Sequence, residues 1–295
     1  MRCAAWARDA QVDPVGTAGH ADGWLLVEWP LPWPKAVDHI PGLAPVQTAL
    51  AGTGVRLQLV APDVARGERW VVLHRRRGTD GWFAACDRYA VDVGAAAGPG
   101  DVVDAALALV AGDVREPAPG IDVLVCAHGT RDRCCGSLGT SLAVRPIPGV
   151  DVLRTSHLGG HRFAPTGLVL PAATSWAFLD ADALHRVVTR TGPLDDLLPR
   201  YRGCAALGSP AAQALDRAAF GEVGWAWLDH ERRPLDLGPG RIGLEARTGS
   251  GEIVVWEAGV AAGRTLPVPE CGRDLDAARK SETEVVLRPP ARARR

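Results

Sequence analysis

Six of the fifteen cysteine and histidine residues of this chain fall in two short segments, CAHGTRDRCCG at residues 126–136 and RTSHLGGHRFAPT at residues 154–166. Clustered thiols and imidazoles are typical of metal or redox sites, because both groups are strong ligands for transition metals. The seven cysteines are odd in number and unevenly spread, which argues against the disulfide framework of a small secreted protein. The fold of this chain is therefore constrained by two separate segments that both carry potential metal ligands.

Each segment follows an apolar run that has the length of a buried strand. IDVLV at 121–125 ends directly before the first segment, and VDVLRTS at 150–156 runs into the second. The other elements predicted in this region, in chain order, are a helix at 136–144 with Ser137 as its N-cap, a helix stop at RPIPG (145–149), a strand at 167–171 and a helix at 180–193 capped by Asp180. The resulting β-α-β-β-α order is compatible with a thioredoxin-like unit.

The flanking regions also mix strands with helices, which predicts an α/β fold. Strands are predicted at 24–30, 55–60, 69–75, 82–87, 241–248, 252–260 and 283–289, and helices at 101–112 and 209–221. The Pro/Gly-rich EPAPG at 116–120 is typical of a domain boundary.

Charge and hydropathy exclude several classes of partner. The net charge is -1 and the pI is about 6.7, so the chain has no overall electrostatic attraction for nucleic acid or an anionic membrane. No run reaches the roughly 18 uncharged apolar residues that a membrane-spanning helix requires. We therefore expect a cytoplasmic protein that binds neither nucleic acid nor a membrane.

The positions of four residues favour a metal site. Cys126 ends a strand, and Cys135 lies just before a helix start, where the helix dipole favours a thiolate. His157 and His161 are separated by Leu-Gly-Gly, which favours a loop. Two thiolates and two neutral imidazoles suit Zn(II) and a [2Fe-2S] cluster equally well, so ligand chemistry alone leaves both open.

CAHGTRDRCCG together with TSHLGGHRFAPTGLVLP resembles the signature of the sucrase/ferredoxin-like family, over residues 121–176, with a weaker resemblance around 17–33. The resemblance implies a thioredoxin-like ferredoxin in which two histidines replace the second pair of cysteines around a [2Fe-2S] cluster. It further implies that Cys126, Cys135, His157 and His161 are the cluster ligands. No pair of carboxylates occupies a recognisable glycosidase setting, so we expect a non-enzymatic electron carrier rather than a sucrase or another hydrolase.

The resemblance and the boundary at 116–120 predict the domain organisation. An N-terminal α/β unit at 1–117 precedes a thioredoxin-like ferredoxin domain at 118–198. A smaller α+β segment at 199–295 then contains a helix, a small β-sheet and a basic tail.

Four neighbours of the expected ligands have less specific roles. Cys134 is adjacent to Cys135 and is expected to be a small buried side chain, although either sulfur could reach a metal. His128 is expected to hydrogen-bond to backbone, with a proton relay or an alternative ligand as the functional possibility. Arg131 and Asp132 are expected to form an ordinary loop ion pair or a cap, with the arginine able to moderate the charge of the cluster. Gly160 is expected to let backbone approach a bulky group. The remaining cysteines are expected to pack in the core; they are Cys3, Cys86, Cys204 and Cys271.

Three functions remain open at this point. The first is one-electron transfer to or from an unidentified redox partner protein, at a moderately high and pH-dependent potential, because imidazole ligands lower the negative charge of a cluster and can themselves titrate. The second is a structural zinc site in a binding or scaffold protein. The third is a thiol oxidoreductase, which is disfavoured because no C-x2-C pair follows the strand and a vicinal disulfide would be strained.

Overall fold

The computed structural model describes residues 2–62, 70–94, 96–113, 116–144, 147–148, 152–275, 278–288 and 291–292. The strands of the first sheet are β1 Gly23–Glu28, β2 Val55–Val60, β3 Trp70–Arg76, β4 Cys86–Asp92, β5 Asp122–Cys126, β6 Val152–Thr155, β7 Gly167–Leu170, β8 Thr174–Trp176 and β9 Tyr201–Cys204. The strands of the second sheet are β10 Glu231–Asp236, β11 Arg241–Arg247, β12 Ile253–Pro267, β13 Arg279–Leu287 and β14 Ala291–Arg292.

The helices are α1 Cys3–Asp9, α2 Ala44–Leu50, α3 Pro99–Ala111, α4 Thr140–Ala143, α5 Ala181–Thr189 and α6 Pro210–Val223. A π-helical turn, Cys135–Gly139, leads directly into α4. Short 3₁₀ helices occur at Val37–His39, Pro41–Leu43, His161–Phe163, Leu198–Arg200 and Gly224–Asp229. None of the helices within the described part of the chain is long and apolar enough to cross a membrane.

The first sheet has the strand order β4-β3-β1-β2-β6-β5-β7-β8-β9, and the fold is α/β as predicted. Two neighbouring pairs are parallel, β1 with β2 and β5 with β6, and the other pairings of this sheet are antiparallel. The sheet runs through both of the first two predicted units, since β2 pairs with β6 at Val60 and Thr155. The division of the chain at residue 117 stays a prediction.

Local sequence signals explain where several elements begin and end. The strands predicted at 55–60 and 121–125 and the helix predicted at 101–112 are confirmed to within two residues. The Asp180 carboxylate accepts a hydrogen bond from the Ala183 amide at 2.9 Å, which caps α5 as predicted. That helix ends earlier than predicted, because Arg190 adopts a left-handed conformation with φ of 54°.

Two predicted elements are wrong in detail. The strand predicted at 82–87 begins only at Cys86, because Phe83 pairs instead with Arg232 of the second sheet and is buried there. The helix predicted to be capped by Ser137 starts earlier, at the π-helical turn, and the Ser137 hydroxyl accepts a hydrogen bond from the Arg2 guanidinium at 2.6 Å. The predicted helix stop at 145–149 and the basic tail lie largely outside the described residues.

Candidate metal centre

The two Cys/His segments meet because β5 and β6 are parallel neighbours. Cys126, the last residue of β5, is in register with Thr155, the last residue of β6. Parallel strands present their carboxyl ends at the same edge of a sheet, so the loops that follow them lie side by side. His157 follows the end of β6 by two residues and therefore reaches the sulfur at the end of β5.

Three donor atoms converge at this edge. The Cys126 Sγ lies 3.5 Å and the Cys135 Sγ 3.8 Å from the His157 Nδ1, and all three atoms lie within 4.8 Å of one another. Both cysteines are fully buried, whereas His157 is half-buried. We call Cys126, Cys135 and His157 the first metal group.

His161, the fourth expected ligand, lies beside the first metal group rather than within it. Its ring centroid is 5.9 Å from that of His157, and its Nδ1 is 3.6 Å from a carboxylate oxygen of Asp132. Burial lowers the pKa of His161, with the Asp132 charge acting against it. A neutral imidazole is the form that can bind a metal ion.

The two cysteines of the group form one strongly coupled pair. The hydrogen bond from the Cys135 thiol holds the pKa of Cys126 well below its ordinary value, and His157 and the backbone amide of His128 help to outweigh the effect of burial. The same hydrogen bond raises the pKa of Cys135. The pair therefore favours the thiolate form of Cys126, which is the form that binds metals.

Glycines allow the turn that carries Cys135 to pack directly against the end of β5. A Cβ at Gly139 would lie 1.8 Å from the Cys126 carbonyl oxygen, and one at Gly136 would lie 2.4 Å from the Gly129 Cα. No other residue type fits these two positions without a shift of backbone. π-helical turns of this kind are frequent at functional sites.

The glycine pair after His157 lets the loop approach an arginine. Gly159 and Gly160 have φ of 85° and 73°, and a Cβ at Gly160 would lie 2.7 Å from the Arg202 Nη2. The Arg202 guanidinium donates to the Gly159 carbonyl at 3.2 Å, to the Thr17 hydroxyl at 3.0 Å and to the Thr17 carbonyl. The group that approaches Gly160 is the Arg202 side chain. Arg202, in β9, was missed by sequence reasoning because no local pattern marks it.

Arg202 is a buried positive charge that interacts with the two cysteines of the first metal group. Its side chain is about 1 % exposed, and no carboxylate of the described residues forms an ion pair with it. Burial lowers the pKa of Arg202 to about 10, while Cys126 and Cys135 act in the opposite direction. The group stays charged at neutral pH, and a buried cation without a carboxylate partner favours an anionic centre nearby.

The neighbours of the expected ligands have different surroundings from one another. The Cys134 sulfur does not face Cys126 but lies 3.3 Å from the Cys271 sulfur. The His128 Nε2 donates to the Pro34 carbonyl at 3.0 Å, as expected for a loop histidine bonded to backbone. Burial lowers the pKa of His128, and its Nδ1 is buried without a hydrogen-bond partner among the described residues.

Of the two roles expected for Asp132, an ion pair with Arg131 or a cap, the structure shows the cap. The Asp132 carboxylate accepts the amide of Cys134 at 2.8 Å and that of Cys271 at 3.2 Å, and one of its oxygens lies 3.6 Å from the His161 Nδ1. Burial alone would raise the pKa of Asp132, but the amides and the histidine outweigh it and keep the pKa below its ordinary value. Arg131 is exposed and lines a surface groove.

An open groove of about 610 Å³ leads to the exposed edge of His157. Three basic side chains and one acidic side chain line it, Lys35, Arg56, Arg131 and Asp38, together with His128 and His157. The approach to the first metal group is therefore positively charged, although the chain as a whole is close to neutral.

A family model described as Suc_Fer-like, sucrase/ferredoxin-like, matches residues 14–203. The match covers more than half of the chain, contains both Cys/His segments and Arg202, and ends before the second sheet. No curated protein and no solved structure matches the chain.

Proposed function

This chain belongs to the sucrase/ferredoxin-like family, and on that basis we propose that it is an electron-transfer protein whose first metal group, completed by His161, binds a [2Fe-2S] cluster. The convergence of Cys126, Cys135 and His157 from two loops is the observation that carries the proposal. A two-iron cluster distributes its ligands over two metal ions, so it can use a fourth donor that lies outside the tight group of three. The thioredoxin-like form of the fold is part of the same proposal.

When bound, such a cluster supplies one-electron redox chemistry. The residues of the chain would set its potential. Imidazole in place of thiolate lowers the negative charge at the site, and the buried Arg202 guanidinium further favours the state that carries the additional electron. Both effects act toward a moderately high potential.

The basic groove supports a partner of opposite charge. Because His157 lies at the exposed edge of the site, an electron exchanged through this edge passes close to Lys35, Arg56 and Arg131. We expect a redox partner protein that presents acidic side chains, and we expect its association to weaken as salt rises. The clustered free thiols suit a reducing compartment, which supports a cytoplasmic location.

Anaerobic purification followed by iron, sulfide and visible absorption analysis tests the cluster. We expect iron and acid-labile sulfide in equal amounts, a brown colour, and an EPR signal after reduction. Cys135→Ser should lose all of these, whereas Cys86→Ser, a matched change at a buried cysteine in β4, should retain them. Equal iron in both variants would contradict the ligand assignment.

The charge of Arg202 gives a second test that does not depend on loss of the cluster. Arg202→Met removes the buried charge and should shift the midpoint potential to more negative values, because the reduced state loses a favourable interaction. Arg202→Lys keeps the charge and should shift it less. A redox titration in which both variants match the unmodified chain would show that the guanidinium has no electrostatic role.

A structural zinc site is the second candidate. Its support is that three donor atoms within 4.8 Å of one another suit a single ion, with His161 or water as a fourth ligand. Zinc is colourless and EPR-silent, so the same preparation decides between the two candidates. A thiol oxidoreductase based on Cys134 and Cys135 has less support, because their two sulfurs face different groups.

A further inference from the structure

A second cluster of sulfurs lies behind the first metal group and is formed by residues that are remote in the sequence. Cys3 opens α1, Cys134 precedes the π-helical turn, and Cys271 lies in the turn that follows β12. The Cys271 Sγ is 3.3 Å from that of Cys134 and 3.5 Å from that of Cys3. The Asp132 carboxylate faces the same point, with its two oxygens 3.5 and 3.7 Å from the Cys3 Sγ.

We infer that these four residues, which we call the second metal group, bind a divalent cation of the Zn(II) type. The four donor atoms lie within 4.8 Å of one another, and three of the four residues are buried. Three thiolates and one carboxylate form a complete tetrahedral donor set for zinc. When the ion binds, the three thiols release their protons to solvent, and the divalent cation offsets two of the four negative charges of the three thiolates and the carboxylate.

The distances support coordination rather than a disulfide. Around a tetrahedral Zn(II), with bonds of about 2.3 Å to sulfur and about 2.1 Å to oxygen, two sulfurs lie about 3.8 Å apart and sulfur and oxygen about 3.6 Å apart. The sulfur–oxygen distances of 3.5 and 3.7 Å match this value, and the sulfur–sulfur distances of 3.3 and 3.5 Å require an opening of only a few tenths of an ångström. A disulfide would instead bring two sulfurs to about 2.0 Å.

The backbone orients the carboxylate before any ion binds. Asp132 Oδ1 accepts the Cys134 amide and Oδ2 accepts the Cys271 amide, so two of the proposed ligands also fix the direction of a third. Such supporting hydrogen bonds are usual around metal ligands. The expectation that Cys3, Cys134 and Cys271 only pack in the core does not account for a carboxylate aimed at three thiols.

A metal ion bound by the second metal group would connect three distant parts of the chain. An ion at this point would join α1, the loop that carries Cys135, and the segment after β12. Because Cys134 is adjacent to Cys135, it would also fix the start of the turn that serves the first metal group. The inference does not depend on whether the first metal group binds iron.

Elemental analysis of the full chain, purified anaerobically with a reductant, tests the inference. In Cys126→Ser/Cys135→Ser, which removes two ligands of the first metal group, we expect stoichiometric zinc to remain. In Cys271→Ser we expect zinc to be lost while the iron content of the first metal group is retained. Cys86→Ser is the matched control and should keep both metals.

Cobalt(II) gives a direct readout of the ligands. After zinc is removed, adding Co²⁺ to the Cys126→Ser/Cys135→Ser chain should produce a thiolate-to-cobalt charge-transfer band and the intense visible bands of a tetrahedral ion. The additional change Cys271→Ser should abolish or strongly weaken them. If the double variant fails to fold by circular dichroism, the zinc and iron contents of the unmodified chain and of Cys271→Ser decide the question.

Three results would overturn the inference. One is zinc content that falls to zero in folded Cys126→Ser/Cys135→Ser, and another is an unchanged cobalt spectrum after Cys271→Ser. The third is a disulfide between Cys134 and Cys271 found by mass spectrometry in the anaerobic, reduced preparation. Iron and zinc are measured in the same samples, so a failure of this inference is distinguishable from a failure of the proposed cluster.

Discussion

Gly139→Ala tests how closely the turn that carries Cys135 packs against the end of β5, because its steric effect on stability opposes the gain in helix propensity. Gly139 has helical backbone angles, φ of -67° and ψ of -43°, so alanine meets no conformational strain there. Its Cβ would nevertheless lie 1.8 Å from the Cys126 carbonyl oxygen, and the two must separate by about 1.2 Å to restore even a 3.0 Å contact. The obstacle is backbone at the end of β5, which cannot rotate away as a side chain could.

The magnitude follows from two opposing effects. Overpacking of this kind costs about 1–3 kcal/mol, and a clash with backbone belongs to the upper part of that range. Replacing glycine by alanine in a helix returns up to about 1 kcal/mol. We therefore expect Gly139→Ala to lower the free energy of unfolding by about 2 kcal/mol. Metal sites tolerate displacements of only about 0.5 Å, so we also expect a clear loss of bound metal.

Gly100→Ala is the matched control, because Gly100 lies in α3 and a Cβ there meets nothing within 4 Å. We expect this variant to be more stable than the unmodified chain by about 0.5 kcal/mol and to keep its metal. Urea unfolding followed by tryptophan fluorescence measures the stability, and elemental analysis measures the metal. If Gly139→Ala unfolds at the same urea concentration as Gly100→Ala and retains as much metal, the reasoning about close packing at Cys126 is refuted.

Two further predictions concern buried ionisable side chains away from the metal groups. Asp216 accepts a hydrogen bond from Arg232 at 2.9 Å and both side chains are fully buried, so Asp216→Asn should cost about 3–5 kcal/mol in urea unfolding, whereas the exposed Asp236→Asn should change little. Similar losses of stability in Asp216→Asn and Asp236→Asn would contradict the expected contribution of the buried ion pair. Burial lowers the pKa of His74, although its Nε2 lies 2.6 Å from an Asp122 carboxylate oxygen. Below about pH 6.5, His74 therefore binds a proton more readily in the unfolded chain than in the folded chain. Stability should therefore fall as the pH is lowered from about 7 toward 5, and His74→Gln should flatten this part of the pH profile of the melting temperature; an unchanged profile would contradict a neutral buried His74.

Local patterns in the sequence were sufficient for several parts of this protein. The strand that ends at Cys126 is a short, mostly apolar run, and the helix at Ala181–Thr189 has an aspartate cap, so both are encoded within a few residues. The expectation that Cys126 and His157 lie at strand ends needs only the positions of two strands. The strand at 82–87 was misplaced because Phe83 finds its burial against Arg232, far away in the chain.

The direction in which each cysteine points depends on tertiary structure. Cys134 and Cys135 are adjacent, and spacing alone cannot say which sulfur faces Cys126. The π-helical turn and its glycine contacts direct Cys135 toward the first metal group and Cys134 toward Cys271.

Sequence alone was sufficient to predict the α/β character of the chain, its family and the residues that meet in the first metal group, because strand periodicity and a short ligand motif are local properties. The contact of Arg202 with the glycine loop, and that of Cys3 with Cys271, 268 residues away, could not be predicted in this way. Such meetings depend on the path of the whole chain through two sheets, and no short segment of sequence encodes that path.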